Sequence, residues 1–440
     1  MRPKVTVIMP SLNVANYMEE CIKSVVDQTL KNIEILCIDA GSTDGTLEII
    51  ERYSSVDRRI ELIHSDKRSY GYQVNLGIKL AKGEYIAILE TDDYISDTMY
   101  ERLYNQATQY NLDYIKADYI RVEYIEDEIF YSPVKMFCGD ESELYNQVIS
   151  TLDMPELYWR DIHIWKGLYK REFLIVNEVF LNESNGAAYQ DYGFGLLLHT
   201  KARRGMFVPE QYYYYRWARV GASSVNRNIL KYSYQEFKRI LEGELIDPTE
   251  EQRHQIYYRI AIDFPSEYSR VLKMVDYNID SVYLAPYYGW FQNILKQAIS
   301  SGDLSEQQGS EMFWRDLHLL IESAEKYAKK IYDEETKKQQ SVDWLKIHDV
   351  VIFGAGTYGT NAYKLLRNWG IEVCAIVDND SKKWGTVMKG CVIKSLKQCL
   401  KDNNNVFFII ANSKYKIEIK EQLLENGISR DKIRYYEDFI

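Results

Sequence analysis

Positive charge is in deficit in this 440-residue chain: 54 Lys and Arg stand against 65 Asp and Glu, a net charge of −11. That balance excludes a broad electrostatic grip on nucleic acid. No run of about 18 apolar residues occurs, so no helix is expected to span a bilayer and membrane contact is expected only at the periphery. From Met1 the chain enters the strand-like Lys4-Val5-Thr6-Val7-Ile8-Met9, with no secretory leader expected. The 6 cysteines form no Cys-x-x-Cys pair. Cys37 and Cys374 lie in apolar runs where a thiol acts as a small hydrophobe, so a reducing, cytoplasmic setting is expected, extending to the inner face of the membrane. The 6 histidines show no His-Glu-x-x-His or other close metal spacing, which argues against a zinc enzyme. No solenoid repeat is present.

What is there is 46% hydrophobic and 27% charged, the composition of a folded globular chain, long enough for two or three domains. Short apolar runs alternate with helical spacing through the first 117 residues, which predicts βα units on a mainly parallel sheet. Strands are expected over 5–9, 34–38, 60–64, 85–89 and 113–116, and helices over 17–28, 46–53, 73–81 and 98–110. Beyond Tyr119 the pattern loosens, and the polar stretch 182–186 reads as a loop before a further helix, a region suited to an acceptor surface. His163 and Lys166 fall in it. Residues 226–338 carry helical spacing without strand signals, with tyrosines read as packing rather than a sugar platform. The polar run 334–340 reads as a linker or exposed helix end. The organisation that follows is 1–225, 226–342 and 343–440.

Three segments carry chemistry. Pro10-Ser11-Leu12-Asn13 and Asp39-Ala40-Gly41-Ser42-Thr43-Asp44-Gly45-Thr46 follow the first two strands, where loops of a parallel sheet line the ligand crevice. An acid there can accept from a nucleobase N–H or a ribose hydroxyl. The plainer reading is a turn with Thr43 or Asp44 capping the helix that opens at Thr46. Glu90-Thr91-Asp92-Asp93 packs three carboxylates at a strand end, which a divalent cation with a diphosphate would neutralise. A solvated acidic turn is the alternative. Gln190-Asp191 opens a helix in apolar and aromatic surroundings, suiting Asp191 either to deprotonate a hydroxyl or simply to satisfy the helix dipole.

These segments, in this order, resemble the inverting family 2 glycosyltransferases, whose catalytic domain has the GT-A fold, over about the first half of the chain. The resemblance extends through Ala81-Lys82-Gly83-Glu84-Tyr85-Ile86 and Trp165-Lys166-Gly167-Leu168-Tyr169. It implies an α/β fold: a GT-A nucleotide-diphospho-sugar transferase domain, a helical middle region and a small Rossmann-like C-terminal domain. It implies a nucleotide-sugar donor, UDP-linked, held by Pro10, Ser11, Asn13, Asp39, Lys67, Arg68, Asn75, Glu90, Thr91, Asp92, Arg216 and Arg219. It also implies Mn2+ or Mg2+ on Asp92, with Asp93 close behind, and Asp191 as base. The acceptor implied is a cell-surface polysaccharide, a teichoic-acid-like polymer, or a lipid-linked or protein-linked glycan of bacterial origin. Arg216 and Arg219 follow the tyrosine run 212–215 and are expected to fold over the diphosphate; a surface strand with a cationic edge is the plainer reading. The middle or C-terminal domain offers a surface for homo-oligomers.

Three departures favour the competing reading, a catalytically degenerate nucleotide-sugar-binding scaffold. Glu90 stands where relatives carry Asp. Val74 stands where many carry an Arg thought to meet phosphate, leaving Lys67 or Arg68 to supply the charge. Gln190 replaces a common Glu, and losing that negative neighbour is expected to lower the pKa of Asp191.

Near the C-terminus, Val350-Val351-Ile352-Phe353 leads into Gly354-Ala355-Gly356-Thr357-Tyr358-Gly359, with Asp378 some way on: a strand, a glycine loop, a helix and an acid. Gly354, Gly356, Gly359 and Asp378 are the candidate nucleotide loop. The segment is similar to the small Rossmann-like domain of bacterial sugar acyltransferases acting on nucleotide sugars, and to domains appended to some methyltransferases. It is short for a dehydrogenase and has no Tyr-x-x-x-Lys placed as in sugar-nucleotide reductases. A binding, regulatory or oligomerising role is therefore favoured over nicotinamide chemistry.

Overall fold

Seven consecutive buried residues form β1 (Val5–Ser11), a near-continuous apolar run of the kind a parallel strand needs when both of its faces are covered. In the computed structural model, which describes residues 2–125, 128–217, 226–243, 245–402 and 406–439, this strand sits inside a nine-stranded sheet. The chain divides into two units, 1–124 with 129–328 and 125–128 with 329–440.

In the first unit β1, α1 (Ala15–Val26), β2 (Ile33–Asp39), α2 (Thr46–Ser54), β3 (Ile60–His64), α3 (Tyr70–Leu80) and β4 (Tyr85–Ile88) alternate as the sequence pattern predicts. The four strands run parallel in the order β3-β2-β1-β4. Met18, Cys21, Ile22 and Val25 give α1 its buried stripe. Gly77 lets α3 lie against Ile8, since a Cβ there would meet its side chain at 2.7 Å.

The sheet then stops being parallel. After β5 (Tyr94–Ile95) and α4 (Met99–Gln109) come β6 (Tyr114–Ile125), β7 (Glu128–Val134), α5 (Leu157–Arg160), β8 (Gly167–Lys170), α6 (Arg171–Val176), α7 (Gln190–Lys201) and β9 (Gly205–Arg216). The order is β3-β2-β1-β4-β8-β6-β9-β5, with β7 also on β6. β8 is antiparallel to both neighbours and β5 is antiparallel to β9. The strand expected over 113–116 continues to Ile125, which the irregular pattern after Tyr119 concealed. Gly167 is required where β8 meets β6, because a Cβ would lie 2.1 Å from the Ile115 carbonyl oxygen.

The middle region is helical: α8 (Ile229–Glu242), α9 (Glu250–Met274), α10 (Ala285–Ser301), α11 (Glu311–Glu322) and α12 (Ala324–Lys346). A reciprocal cap between Thr249 and Gln252 starts α9. The polar run 334–340 lies inside α12 rather than forming a linker, its charged side chains needing only a solvated helix face.

In the second unit β10 (Asp349–Phe353), α13 (Thr357–Asn368), β11 (Val373–Val377), β12 (Val387–Met388), β13 (Cys391–Lys394), α14 (Leu396–Asp402), β14 (Val406–Ile410), α15 (Lys416–Glu425) and β15 (Ile433–Tyr435) build a six-stranded sheet, β12-β13-β11-β10-β14-β15. It is parallel apart from the β12–β13 hairpin. Cys37 is buried, but Cys374 is exposed: it lies at the start of β11, before the buried residues 375–377. Among the described residues no helix is long and apolar enough to cross a membrane.

Candidate active site

The loops after β1 and β2 are stitched together by their own side chains. Asp39 is 0% exposed; one carboxylate oxygen accepts from the Gly41 and Ser42 amides at 2.8 Å, and the other accepts from the Ser42 hydroxyl at 2.5 Å. Ser42 Oγ in turn accepts from the Asn13 amide (2.9 Å), and Asn13 Oδ1 accepts from the Thr43 amide (2.9 Å). Asn13 holds a φ of 54°, in the left-handed region that Asn tolerates. Asp44 accepts from the Thr46 amide and from the Ala15 amide at the start of α1, while the N-cap of α2 is Gly45 without a side-chain cap, so neither Thr43 nor Asp44 takes the expected capping position. Buried Gln73 on α3 joins the two strand ends by donating to the Ser11 and Ile38 carbonyls.

The other expected donor contacts divide. Arg68 reaches this loop, 3.5 Å from the Gly41 carbonyl, whereas Lys67 pairs with Glu183 at 3.1 Å. Asn75 is turned away from the crevice, its amide exchanging hydrogen bonds with the Leu181 backbone at 2.9 Å. Val74 is fully buried.

The acidic loop follows β4. Thr91 donates to the Pro10 carbonyl (2.8 Å), fixing the loop beside β1. Asp93 is fully buried and faces inward: Tyr213 donates its hydroxyl at 2.9 Å and Arg216 its amide at 2.7 Å. Burial, together with neighbouring Asp92, pushes the Asp93 carboxyl well above its ordinary range. Asp92 is part-exposed at the mouth. Arg216, 5% exposed, donates to the Asp92 carbonyl at 2.5 Å, pairs with Glu20 and lies over the rings of Tyr17 and Tyr94. Arg219 lies outside the described residues.

Asp191 stands in the first turn of α7. Burial pushes its carboxyl up to about 6, against the opposing pull of Arg259. Burial thus sets the Asp191 carboxyl above its ordinary value even without a negative neighbour at position 190. Gln190 is buried and donates to Ser184 Oγ (3.1 Å) and the Gly186 carbonyl (3.2 Å), shaping the loop ahead of the helix. That loop pairs with 68–70 through the Tyr70 amide and the Gly186 carbonyl. Tyr70 then links the acidic loop to the loop ahead of α7. Its hydroxyl donates to Glu90, and burial, Glu90 and Asp191 together raise its pKa well above normal.

Residues 6–164 match the model of Glycosyl transferase family 2. Similar proteins include "Uncharacterized glycosyltransferase EpsJ" of Bacillus subtilis (32% identical over 225 residues, 49% of this chain and 62% of that protein). "Glycosyltransferase GlyG" of Streptococcus pneumoniae is 28% identical over 225 residues, 49% of this chain and 71% of that protein. A crystal structure of S. aureus TarS 1-349 in complex with UDP-GlcNAc superposes with a TM-score of 0.57 at 16% identity, covering 77% of this chain and 92% of that one. At that identity the likeness concerns the fold, and the expected GT-A-like architecture, helical middle and small C-terminal sheet domain are all present. Residues 346–434 match a different model, C2185-like, N-terminal.

The first unit also holds a buried charge cluster with no sequence motif of its own. Asp161, at the end of α5, takes Lys116 of β6 at 2.5 Å, Lys166 at 3.1 Å and His199 of α7 at 3.1 Å. Burial raises the Asp161 carboxyl, but the two ammonium groups hold it well below the ordinary range. Burial lowers Lys116 to about 8 and keeps His199 below its ordinary value, hence neutral near pH 7. Tyr70, Gln73 and Asp161 are the site residues that sequence reasoning missed. Each lies beside a recognised segment and is set by packing across elements, which one-dimensional spacing does not report.

In the second unit Asp378 does not project openly. It accepts from the Ala355 amide (2.7 Å), the Asp380 amide (2.8 Å) and Lys383 Nζ (3.0 Å). Gly354 has φ 126°, and a Cβ on Gly359 would lie 1.9 Å from the Gly354 carbonyl oxygen, so the glycines are needed for the turn to close.

Proposed function

We propose that this protein transfers a sugar from a nucleotide-sugar donor, UDP-linked, to a hydroxyl of a cell-surface polysaccharide, a teichoic-acid-like polymer or a protein-linked glycan, with inversion at the anomeric carbon. The observation that carries the reading is Tyr70: its phenol donates to Glu90 of the acidic loop while its backbone amide donates to the Gly186 carbonyl in the loop ahead of α7, the helix of Asp191, which supports one crevice for both acids.

Asp39, Asn13 and Arg68 form the nucleotide end, with a rigid loop whose shape precedes the ligand. Asp92 is the residue that would hold a divalent cation. Hard cations of this type take one or two carboxylates and complete their shell with substrate phosphates, and a part-exposed acid at the mouth of a fixed loop fits that demand. Bound there, Mn2+ or Mg2+ supplies neutralisation of charge on the departing diphosphate. Asp93 acts by bracing the loop from beneath, and the buried Arg216 side chain, paired with Glu20, holds the Asp92 carbonyl in place.

Asp191 takes the proton of the acceptor hydroxyl as its oxygen attacks the anomeric carbon. The new C–O bond forms as the bond to the diphosphate oxygen breaks on the opposite face. A base near 6 is largely ionised at pH 7 yet basic enough to assist. The deprotonated form is the active one, so turnover should climb as pH rises through about 6 and level off above 7; a flat profile between 5 and 7 would remove Asp191 from the role.

The test is release of UDP from a panel of UDP-sugars with and without Mn2+ in the presence of acceptor glycans. Asp92→Ala should weaken donor binding in the presence of metal by about tenfold or more, while leaving metal-free binding nearly unchanged; equal loss in both conditions would point to a disrupted loop. The C-terminal sheet domain is read as a binding, regulatory or oligomerising module.

A further inference from the structure

Beside the crevice lies a cavity of about 380 Å³ lined by Tyr119, Lys135, Trp159, Arg160, His163 and Lys166. Its size suits one or two sugar-sized groups. Stacked rings connect it to the acidic loop: His163 lies on Trp165 with centroids 4.8 Å apart, Trp165 lies on Tyr213 at 4.3 Å, and Tyr213 donates to Asp93. On another side Lys166 shares Asp161 with Lys116, whose charge is coupled to Asp191.

The lining carries three cationic side chains, Lys135, Arg160 and Lys166. Lys166 and Arg160 pair with Asp161 and Glu141, Lys135 lies near Asp118 without an ion pair among the described residues, and burial holds His163 at about 3 and hence neutral. Arg160 uses both terminal nitrogens on Glu141, at 2.8 and 3.0 Å, and its buried Nε–H has no partner among the described residues. Trp159 is a fixed wall, its indole N–H donating to Gln255 at 3.1 Å and its ring packed edge-on to Tyr258.

We propose that this cavity is an acceptor-side subsite for a phosphate ester of an alcohol. Resting on the transferase reading above, it makes the preferred acceptor a phosphorylated chain rather than a neutral glycan. Cationic side chains arrive from three separate stretches, the end of β7, the end of α5 and the lead into β8. Convergence from several directions suits a tetrahedral oxyanion better than a planar carboxylate. The Trp159 and Tyr119 rings would cover the attached carbon skeleton.

Calorimetric titration of the full chain with glycerol 3-phosphate, glycerol and inorganic phosphate tests it. Glycerol 3-phosphate should bind at least about tenfold more tightly than glycerol, and the preference should shrink between about 50 and 300 mM salt. Lys135→Gln should reduce that preference about threefold or more, and Lys135→Arg should restore it; Lys135 is exposed, so neither change threatens folding. Equal binding of glycerol and its phosphate, or stoichiometric displacement of glycerol 3-phosphate by UDP, would overturn the subsite. Vesicles of phosphatidylglycerol against phosphatidylcholine separate the sources: Lys135-dependent sedimentation with the anionic vesicles assigns the phosphate to a lipid headgroup, and binding of the soluble ester alone assigns it to the acceptor chain. A protein that binds the ester but never UDP keeps the subsite and loses the transferase reading. One that glycosylates neutral and phosphorylated acceptors with equal kcat/KM keeps the transferase reading and overturns the subsite.

Discussion

Replacing Asp191 by Asn should cut sugar transfer by about 10²- to 10⁴-fold, the range over which a positioned general base contributes, with little change in affinity for UDP. The amide is nearly isosteric, so α7 and its Gln190-bound loop keep their shape; only the proton acceptor is lost. The hydrogen bond that Asp191 accepts from the Tyr192 amide survives through the Asn carbonyl oxygen. Parallel measurement of single-turnover transfer and UDP titration separates the two effects. Full transfer by the variant would mean that proton removal lies elsewhere, and a matching loss of UDP affinity would mean that Asp191 contributes to the donor site.

The second large effect is on stability. Asp161→Ala strands Lys116 and Lys166 in the interior, and breaking a buried ion pair from one side costs about 3–5 kcal/mol. The denaturant midpoint of the first unit should fall with an unchanged slope. The loss should also pass to catalysis, because Asp161 joins β6, the lead into β8 and α7, the helix that bears Asp191. Asp161→Asn is the informative companion: it retains packing and hydrogen bonding but not the charge, so a smaller loss of stability than with Ala is expected. A midpoint unchanged in both variants would mean that the two ammonium groups are neutral or hydrated in the folded protein.

Much of the parallel half of the sheet was legible in the sequence because buried parallel strands read as continuous apolar runs. β3 occupies the expected 60–64, and β1, β2 and β4 differ only at their ends. The antiparallel half was not, for a physical reason. β6, β8 and β9 mix tyrosines, charges and small residues whose meaning comes from partners far away in the chain: Tyr213 beneath Asp93, Lys116 against Asp161, Gly167 against Ile115. The site divides in the same way. The acidic loop and the strand-end loops are contiguous stretches and can be recognised from spacing. Tyr70, which ties Glu90 to the loop ahead of α7, cannot, because nothing local distinguishes it from the many tyrosines that only fill space. Asn75 and Lys67 show the converse error: residue types suited to a ligand are spent instead on the segment at 181–183.

The Asp378 carboxylate carries one more implication, for the second unit. A carboxylate offers about four lone-pair sites, and here two amides and an ammonium group already draw on them. Any ribose arriving at this turn would therefore be a rival to Ala355, Asp380 and Lys383 rather than a welcome guest. The turn is its own occupant: what holds it shut is the same acid through which a visitor would have to enter.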